Sequence, residues 1–318
     1  MADPPALIVA GPTCSGKSAL ALALAEALGG TVINADAMQV YRELRVLTAR
    51  PTPEEEARAP HRLYGVRPAA AAGDAAWWRD AALAALAEAR AAGRLPILCG
   101  GSGMYFQALT EGFSPIPPVD AAARDEARGL LAELGAPGLH ARLAAADPDT
   151  AARLRPSDAQ RVARAWEVWR STGAGLAAWQ ARPRVPAPWR FSAILLAPER
   201  AALRAAIERR FAAMLAAGAL NEARALLALG LPAALPAMRA HGVPELAAYL
   251  EGAIPLAEAE RRAVLVTGQY AKRQATWFRH HALAPETRVH MIHARIAGLA
   301  QFSENEWQAI VNFIRATG

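Results

Sequence analysis

The sequence predicts an α/β fold in which a parallel sheet is flanked by helices and interrupted by an all-helical insertion. Apolar segments of strand length alternate with longer helical segments, a pattern typical of parallel sheets. The segment GPTCSGKS, residues 11–18, separates the first apolar segment from the first helical one. Two proline clusters, at 114–120 and 182–189, enclose a helical stretch without a convincing strand. The proline clusters therefore indicate the limits of the insertion.

The individual elements follow the apolar pattern along the chain. Short apolar runs predict strands at residues 6–10, 31–35, 95–99 and 191–196. Helical periodicity and helix-ending residues predict helices at residues 15–28, 74–92, 199–217 and 258–281. The resulting domain prediction is a core of residues 1–115 and 190–281, a helical insertion at 116–189, and a peripheral, helical or partly ordered extension at 282–318.

Composition narrows the class of protein. The formal net charge of +6 favours an anionic partner only weakly, because an arginine-rich sequence reaches such a value without one. Cys14 and Cys99 are the two cysteines, and they supply neither a disulfide framework nor a zinc cluster. The start of the sequence lacks the basic residues of a signal peptide, and no apolar run is long enough to span a membrane. We therefore expect a cytoplasmic protein that does not associate with membranes.

Residues 11–18 have the GxxxxGK[ST] pattern of a phosphate-binding P-loop, placed between a predicted strand and a predicted helix as that motif requires. Gly11 and Gly16 allow the backbone to wrap around an anion, and Lys17 adds a positive charge. Ser18 offers a hydroxyl to Mg²⁺, the cofactor that we expect. The predicted core is therefore P-loop NTPase-like.

The P-loop pattern leaves the identity of the phosphate compound open. Enzymes that use ATP or GTP pair the loop with an apolar strand that ends in a metal-holding acid. Here the strand at 95–99 is followed by glycines and Ser102, and only Asp36 ends a predicted strand. These residues favour a loop that holds a diphosphate leaving group, with Asp36 as a base. A small-molecule kinase is the alternative, and an RNA-binding module without catalysis is a third possibility.

Several separated motifs resemble those of the tRNA dimethylallyltransferases, the IPP transferase family. They are GPTCSGKS (11–18), NADAMQVY (34–41), LTARP (47–51), CGGSGMYFQALTEG (99–112), SDAQRVARAWEV (157–168) and KRQATWFR (272–279). The resemblance extends to about residue 281. It implies an Mg²⁺-dependent transfer of the dimethylallyl group from dimethylallyl diphosphate to N6 of the adenine beside the anticodon, with release of pyrophosphate. The implied partners are the tRNA anticodon stem-loop and dimethylallyl diphosphate, and we expect a monomer.

The resemblance also implies a role for each matching residue. Asp36 is the expected general base, and Lys17, Ser102 and Arg210 are expected to neutralise the leaving diphosphate. The diphosphate-binding residues are Gly11, Pro12, Thr13, Cys14, Ser15, Gly16, Lys17 and Ser18. The tRNA-binding residues are Asp36, Ala37, Met38, Gln39, Arg124, Gln160, Arg161, Val162, Ala163, Arg164, Arg239, Ala240, His241, Gly242, Lys272, Arg273, Gln274, Thr276, Trp277, Phe278 and Arg279.

The sequence departs from the family pattern at a few positions. Ala37 replaces a serine after the expected base, and Ser102 replaces a threonine but keeps the hydroxyl. Val243 and Pro244 follow Gly242 where the family has tyrosine and then arginine or lysine. Because an aromatic ring and a cation are lost there, we expect weaker RNA contact at this segment.

Overall fold

The computed structural model describes residues 3–317 and contains, within that range, a six-stranded sheet whose neighbouring strands all run parallel. The strands are β1 (Pro5–Ala10), β2 (Gly30–Ala35), β3 (His61–Arg62), β4 (Leu95–Gly100), β5 (Arg190–Leu196) and β6 (Val289–Ile292). Their order across the sheet is β3-β2-β4-β1-β5-β6. The α/β prediction is confirmed, and each predicted strand and helix is present with bounds that differ by one or two residues.

Both faces of the sheet are covered, which explains why the central strands are continuous apolar runs. Ile8 of β1 packs into one core with Trp78 and Phe106, whereas its neighbours Leu7 and Val9 pack into a second core on the other face. Successive side chains of a strand point to opposite faces of the sheet, so alternate residues of β1 pack into different cores.

The chain divides into two compact units, of which the first comprises Met1–Thr110 and Ala187–Gly318. Besides the sheet, the described part of this unit contains α1 (Lys17–Leu28), α2 (Pro53–Arg58), α3 (Ala75–Ala91), α4 (Gly103–Thr110), α9 (Arg200–Ala216), α10 (Ala219–Leu227), α11 (Val243–Leu250), α12 (Leu256–His280) and α13 (Glu304–Thr317). Helix α1 contributes Leu20 and Leu24 to the second core, and α12 contributes Phe278 to the first.

The second unit, Glu111–Pro186, is helical throughout its regular elements. It contains α5 (Ala121–Ala146), α6 (Pro148–Ala151), α7 (Ala159–Thr172) and α8 (Leu176–Gln180). Helix α5 is interrupted at Gly135, whose φ of +65° is not helical, two residues before Pro137. Leu139, Leu143 and Val162 pack in a core of its own between α5 and α7. The helical unit spans residues 111–186, whereas the predicted insertion spans 116–189, so both of its limits lie a few residues earlier than predicted.

The segment after residue 281 is part of the sheet domain, and the prediction of a peripheral extension was wrong. Residues 289–292 form β6, which pairs in parallel with β5. Ile310 and Ile314 of α13 are buried in the same core as Leu20 of α1. The strand escaped prediction because VHMI is short and only partly buried, so it lacks the apolar run that marks the other strands.

Within residues 3–317, the helices are all too short or too polar to cross a membrane.

Candidate active site at the carboxyl ends of the strands

The P-loop segment connects β1 to α1 in a conformation that suits an anion. Cys14 and Gly16 both have left-handed backbones, with φ of +62° and +92°, and Ser15 N donates to Pro12 O over 3.2 Å. Left-handed residues alternating with right-handed ones turn successive N–H groups toward one side, where they form an anion-binding nest. The free N–H groups at the start of α1 add positive potential to the same place.

Packing requires both glycines of the motif. A Cβ atom on Gly11 would lie 2.9 Å from the Cβ atom of Leu196 and 2.9 Å from the Oγ atom of Ser15. A Cβ atom on Gly16 would lie 2.0 Å from the carbonyl oxygen of Ile296. The loop is therefore enclosed by β5 on one side and by the segment after β6 on the other.

Two cations flank the loop. The Lys17 ammonium lies 3.5 Å from Pro12 O, and burial lowers its pKa, with Arg210 acting in the same direction and Asp36 opposing it. Arg210 of α9 donates to Thr13 Oγ1 and to Thr48 O, both over 3.4 Å. The two positive groups, drawn from different elements, can neutralise a bound anion together.

Asp36 follows β2 directly, and its backbone is held by a residue that the sequence analysis did not single out. Asn34 is fully buried; its Oδ1 accepts from Asp36 N over 2.8 Å, and its Nδ2 donates to Asp36 O over 3.0 Å and to Leu63 O over 3.1 Å. The Asp36 Oδ1 accepts from Met38 N over 2.9 Å, which leaves Oδ2 for another partner. The sequence signal for Asn34 was its polar amide side chain within the otherwise apolar strand TVINA, residues 31–35.

Ser102 and Tyr270 form a polar link beside Asp36. The Ser102 Oγ accepts from Ala37 N over 2.9 Å, and the Tyr270 hydroxyl is hydrogen-bonded with Ser102 and Gln274. Burial raises the pKa of Tyr270, so its hydroxyl stays protonated. Tyr270 was missed, although it precedes Gln274 by one helical turn and so shares its face. Ser102 thus orients the backbone after Asp36 in addition to any contact with a diphosphate.

Asp36 and Tyr270 line a cavity of about 600 Å³, its open mouth included. Thr13, Asp36 and Arg210 provide its polar wall. The remaining lining is Cys14, Met38, Leu47, Thr48, Ile207, Phe211, Met214, Ala240, His241, Thr267 and Tyr270. A cavity with anion-binding groups on one side and apolar side chains on the other suits a short hydrocarbon group attached to a phosphate.

A second cavity, of about 1600 Å³, also reaches the P-loop, at Pro12. Arg279, His280, His281 and His293 contribute to its wall.

The predicted tRNA-binding residues on α12 are divided between its two faces. Lys272, Arg273, Thr276 and Arg279 are exposed. Gln274 is buried: its Oε1 accepts from Thr13 N over 2.8 Å, and its Nε2 donates to Gly101 O over 2.9 Å. Backbone groups thus hold both ends of this amide in the fold, and its predicted contact with tRNA stays a prediction.

The aromatic residues of the same helix also serve the fold. Phe278 is buried in the first core. Trp277 stacks on His281 with ring centroids 4.2 Å apart, and a Cβ atom on Gly103 would lie 2.3 Å from the Trp277 ring. Gly103 is therefore required by the close approach of α12. Phe278 packs in the core and also lines the second cavity, and its predicted contact with tRNA stays a prediction.

The residues after β2 form a second group of predicted tRNA contacts. Ala37, Met38 and Gln39 are partly buried, and Met38 lines the first cavity. The Gln39 Nε2 donates to Thr48 O over 2.8 Å and to Ala49 O over 3.0 Å. The Gln39 amide, which was predicted to contact tRNA, therefore stabilises the loop at Thr48 and Ala49.

A third group lies at residues 239–242. Arg239 is exposed, whereas Ala240 and Gly242 are buried. His241 is partly buried in the cavity wall, its ring centroid 4.9 Å from that of Tyr270. Burial lowers the pKa of His241 and keeps it neutral at pH 7. Val243 is 1% exposed and belongs to the first core. At Val243 the departure from the family pattern therefore supplies a packed side chain, while Pro244 is exposed.

In the helical unit, the predicted polar contacts are accessible. Arg124 of α5 is exposed, as are Gln160, Arg161 and Arg164 of α7. Val162 is buried and Ala163 partly buried, because they lie on the face of α7 that packs on α5. Val162 therefore supports the helix that carries the cations and has no surface of its own to offer RNA.

The residues around Ser18 bear on the expected Mg²⁺. The Ser18 hydroxyl is hydrogen-bonded with Cys99, and burial raises the pKa of that thiol to about 11, so it stays protonated. Across residues 3–317, no group of three or more His, Cys, Asp or Glu side chains could hold a metal. Mg²⁺ prefers hard oxygen ligands and keeps several waters, so one hydroxyl fits this ion if phosphate oxygens and water complete its shell.

Comparison with known proteins identifies the family. The model of the IPP transferases matches residues 39–281. A "tRNA dimethylallyltransferase" of Granulibacter bethesdensis is 61% identical over 99% of both chains. The crystal structure of a tRNA isopentenylpyrophosphate transferase from Bacillus halodurans is 30% identical, with a TM-score of 0.69 over 99% of this chain and 98% of that one.

A solved eukaryotic dimethylallyltransferase, described as acting on tRNA, supports the fold. Its TM-score is 0.84 over 99% of this chain and 80% of that chain, at 23% identity. The family model and the full-length relative agree on the family. The chain belongs to the IPP transferase family, whose members are prenyl-transferring enzymes.

Proposed function

We propose that the protein transfers the dimethylallyl group of dimethylallyl diphosphate to N6 of the adenine beside the anticodon of tRNA and releases pyrophosphate. The observation that carries the proposal is the arrangement around the first cavity. There a carboxylate, Asp36, faces the same space as the P-loop residue Thr13, the cation Arg210 and an apolar wall. The name of the relative from Granulibacter bethesdensis, similar over its full length, supports the same activity.

In the proposed reaction the adenine N6 attacks the C1 atom of the dimethylallyl group. The new N–C bond forms as the C1–O bond breaks, and the electron pair of that bond leaves with pyrophosphate. Asp36 accepts the proton that the amine loses, through the oxygen that Met38 N does not occupy. Asn34 keeps the Asp36 backbone fixed, so the carboxylate needs no reorganisation during the reaction.

Charge stabilisation on the leaving group is the second requirement. Negative charge accumulates on the diphosphate as the C1–O bond breaks, and preorganised donors near it lower the barrier. The free N–H groups at the start of α1, the Lys17 ammonium and the Arg210 guanidinium supply those donors. Arg210 is well suited because its planar group can donate to two phosphate oxygens at once.

Mg²⁺ would be held by the Ser18 hydroxyl together with oxygens of the diphosphate. When bound, it would supply further positive charge to the leaving group. Lys17 and Arg210 would neutralise the leaving group together with the ion. Cys99 stays protonated beside Ser18, so the Ser18 hydroxyl oxygen remains able to bind the ion.

Accessible cations support the tRNA as the second substrate. Lys272, Arg273 and Arg279 lie on the exposed face of α12, and Arg161 and Arg164 lie on the exposed face of α7. Lysine and arginine side chains bind phosphate groups of RNA without regard to sequence. Two cavities that each reach the P-loop would let the adenine and the prenyl diphosphate enter by separate openings.

The proposal is tested by the mass of the nucleosides in treated tRNA. Unmodified tRNA is incubated with the protein, Mg²⁺ and either dimethylallyl diphosphate or ATP, then digested and weighed. We expect one adenosine to gain a dimethylallyl group with the diphosphate and no change with ATP. A tRNA whose adenine beside the anticodon is replaced serves as the control and should stay unmodified. ATP hydrolysis without prenylation would instead support a kinase, and RNA binding without any product would leave only a binding module.

A further inference from the structure

The P-loop is held from outside by the segment that follows β6. The Arg295 Nε atom donates to Cys14 O over 3.0 Å. Ile296 N donates to Ser15 O over 2.8 Å. Ile296 itself is 1% exposed, and its carbonyl occupies the space that a Cβ atom on Gly16 would need. Three successive loop residues are thus in contact with two successive residues of a segment remote in sequence.

The segment that makes these contacts is itself fixed. Ala297 N donates to Gln301 Oε1 over 2.8 Å, and Gln301 Nε2 donates back to Arg295 O over 3.3 Å. On the other side, β6 is paired with β5, whose neighbour β1 leads directly into the loop. The segment that carries the Arg295 and Ile296 donors is therefore held in place on both sides.

The loop has a physical need for such donors. Cys14 has a φ of +62°, a left-handed conformation that a side chain with a Cβ atom disfavours by about 1–2 kcal/mol. If the peptide groups after Cys14 and Ser15 turned over, their carbonyls would face the anion and the nest would be lost. The hydrogen bond on Ser15 O holds that carbonyl outward and so directs Gly16 N–H inward. The hydrogen bond on Cys14 O holds the preceding peptide group in the turn that Ser15 N forms with Pro12 O.

We infer that Arg295 and Ile296 are positioning residues that keep the P-loop in its anion-binding conformation, so that the C-terminal segment sets the affinity for pyrophosphate. The inference rests on the proposed role of the loop as the diphosphate site. Arg295 and Ile296, like the loop itself, lie outside residues 39–281, which the family model covers.

The test is equilibrium binding of inorganic pyrophosphate with Mg²⁺ to the full-length protein. Arg295→Met removes one donor while keeping an apolar stem of similar length. We expect it to raise the Kd of pyrophosphate about five- to tenfold, the effect of losing about one hydrogen bond to the active conformation. The Kd of tRNA should be unchanged, and Arg295→Lys, which keeps a charged donor, should recover part of the affinity.

Two control variants separate positioning from general stability. Arg315→Met removes an exposed arginine of α13 and should change nothing. Ile310→Ala removes a buried side chain of α13 and should lower the free energy of unfolding by about 2–4 kcal/mol without changing the pyrophosphate Kd.

Lys17→Ala distinguishes failure of the inference from failure of the site. If Lys17→Ala weakens pyrophosphate binding while Arg295→Met stays within twofold of the wild type, the inference is overturned and the loop assignment stands. If neither substitution affects binding, the loop is not the diphosphate site and both ideas are wrong. If Ile310→Ala weakens binding as much as Arg295→Met, the effect is one of stability and the positioning role is refuted.

Discussion

At the scale of single residues, the site depends on buried side chains that fix the backbone of the residues lining it. Asn34 forms three hydrogen bonds that fix the strand end at Asp36, and Gln274 joins Thr13 of the P-loop to Gly101 after β4. Both amides are buried, so every unfilled bond would carry the full cost of desolvation. Their positions are therefore tightly determined by the fold.

The central residue-scale prediction concerns Asp36. Asp36→Asn keeps the size of the side chain but removes its ability to accept a proton as an anion. We expect the single-turnover rate of prenyl transfer to fall by about 10²–10⁴, the usual range for a general base. The Kd of tRNA should change less than about twofold, since RNA affinity comes mainly from cations that contact phosphates and the substitution leaves those cations in place. A normal rate for the variant would show that Asp36 is not the base.

At the scale of elements, α12 combines two tasks on opposite faces. Its buried face carries Gln274 and Phe278 against the P-loop and the first core, while its exposed face carries Lys272, Arg273 and Arg279. The helical period of 3.6 residues places positions 270, 274 and 278 on one side and 272, 276 and 279 around the other. One helix can thus connect the anion site to an RNA-facing surface.

This division predicts different losses for neighbouring substitutions. Arg273→Ala should weaken tRNA binding, lower the slope of log Kd against log salt by about 0.7–0.9, and leave the pyrophosphate Kd unchanged. Gln274→Leu should do the reverse, raising the pyrophosphate Kd about tenfold or more because Thr13 N and Gly101 O lose their partners. Binding titrations of each ligand at several salt concentrations distinguish them. The account of α12 fails if Gln274→Leu impairs only tRNA binding.

The elements that were predictable are those in which local pattern and tertiary role agree. The strands β1, β2, β4 and β5 are continuous apolar runs, and the P-loop motif fixes what lies between the first strand and α1. Asp36 followed from its place at a strand end. Strand β6 and the contact of Arg295 with the loop were not predictable, because they depend on pairing between segments far apart in sequence. Gln274 was assigned to RNA because its motif lies among cations, although its helical position favours burial.

At the scale of the whole molecule, the chain contains two units with separate cores. The sheet unit holds the P-loop, Asp36 and both cavities, and the helical unit holds Arg161 and Arg164 on an exposed face of α7. Because each unit has its own core, substitutions on the surface of one should not disturb the other.

The helical unit is therefore predicted to serve RNA binding alone. The double substitution Arg161→Ala and Arg164→Ala should raise the Kd of tRNA about five- to fiftyfold, as two phosphate contacts are lost. The pyrophosphate Kd should be unchanged, and the rate at saturating tRNA should remain close to that of the wild type. The exchange of Arg142, an exposed arginine of α5, for alanine is the matched control. An altered pyrophosphate Kd in the double variant would contradict the separation of tasks.

The most direct measurement is competition for the P-loop between dimethylallyl diphosphate and ATP, each with Mg²⁺, in the wild type and in Lys17→Ala. The account predicts that each chain binds one molecule of dimethylallyl diphosphate and that Lys17→Ala loses this binding. It also predicts that pyrophosphate displaces the bound dimethylallyl diphosphate, whereas ATP at equal concentration does not. Displacement by ATP with higher affinity, or binding of the prenyl diphosphate that is unaffected in Lys17→Ala, would contradict it.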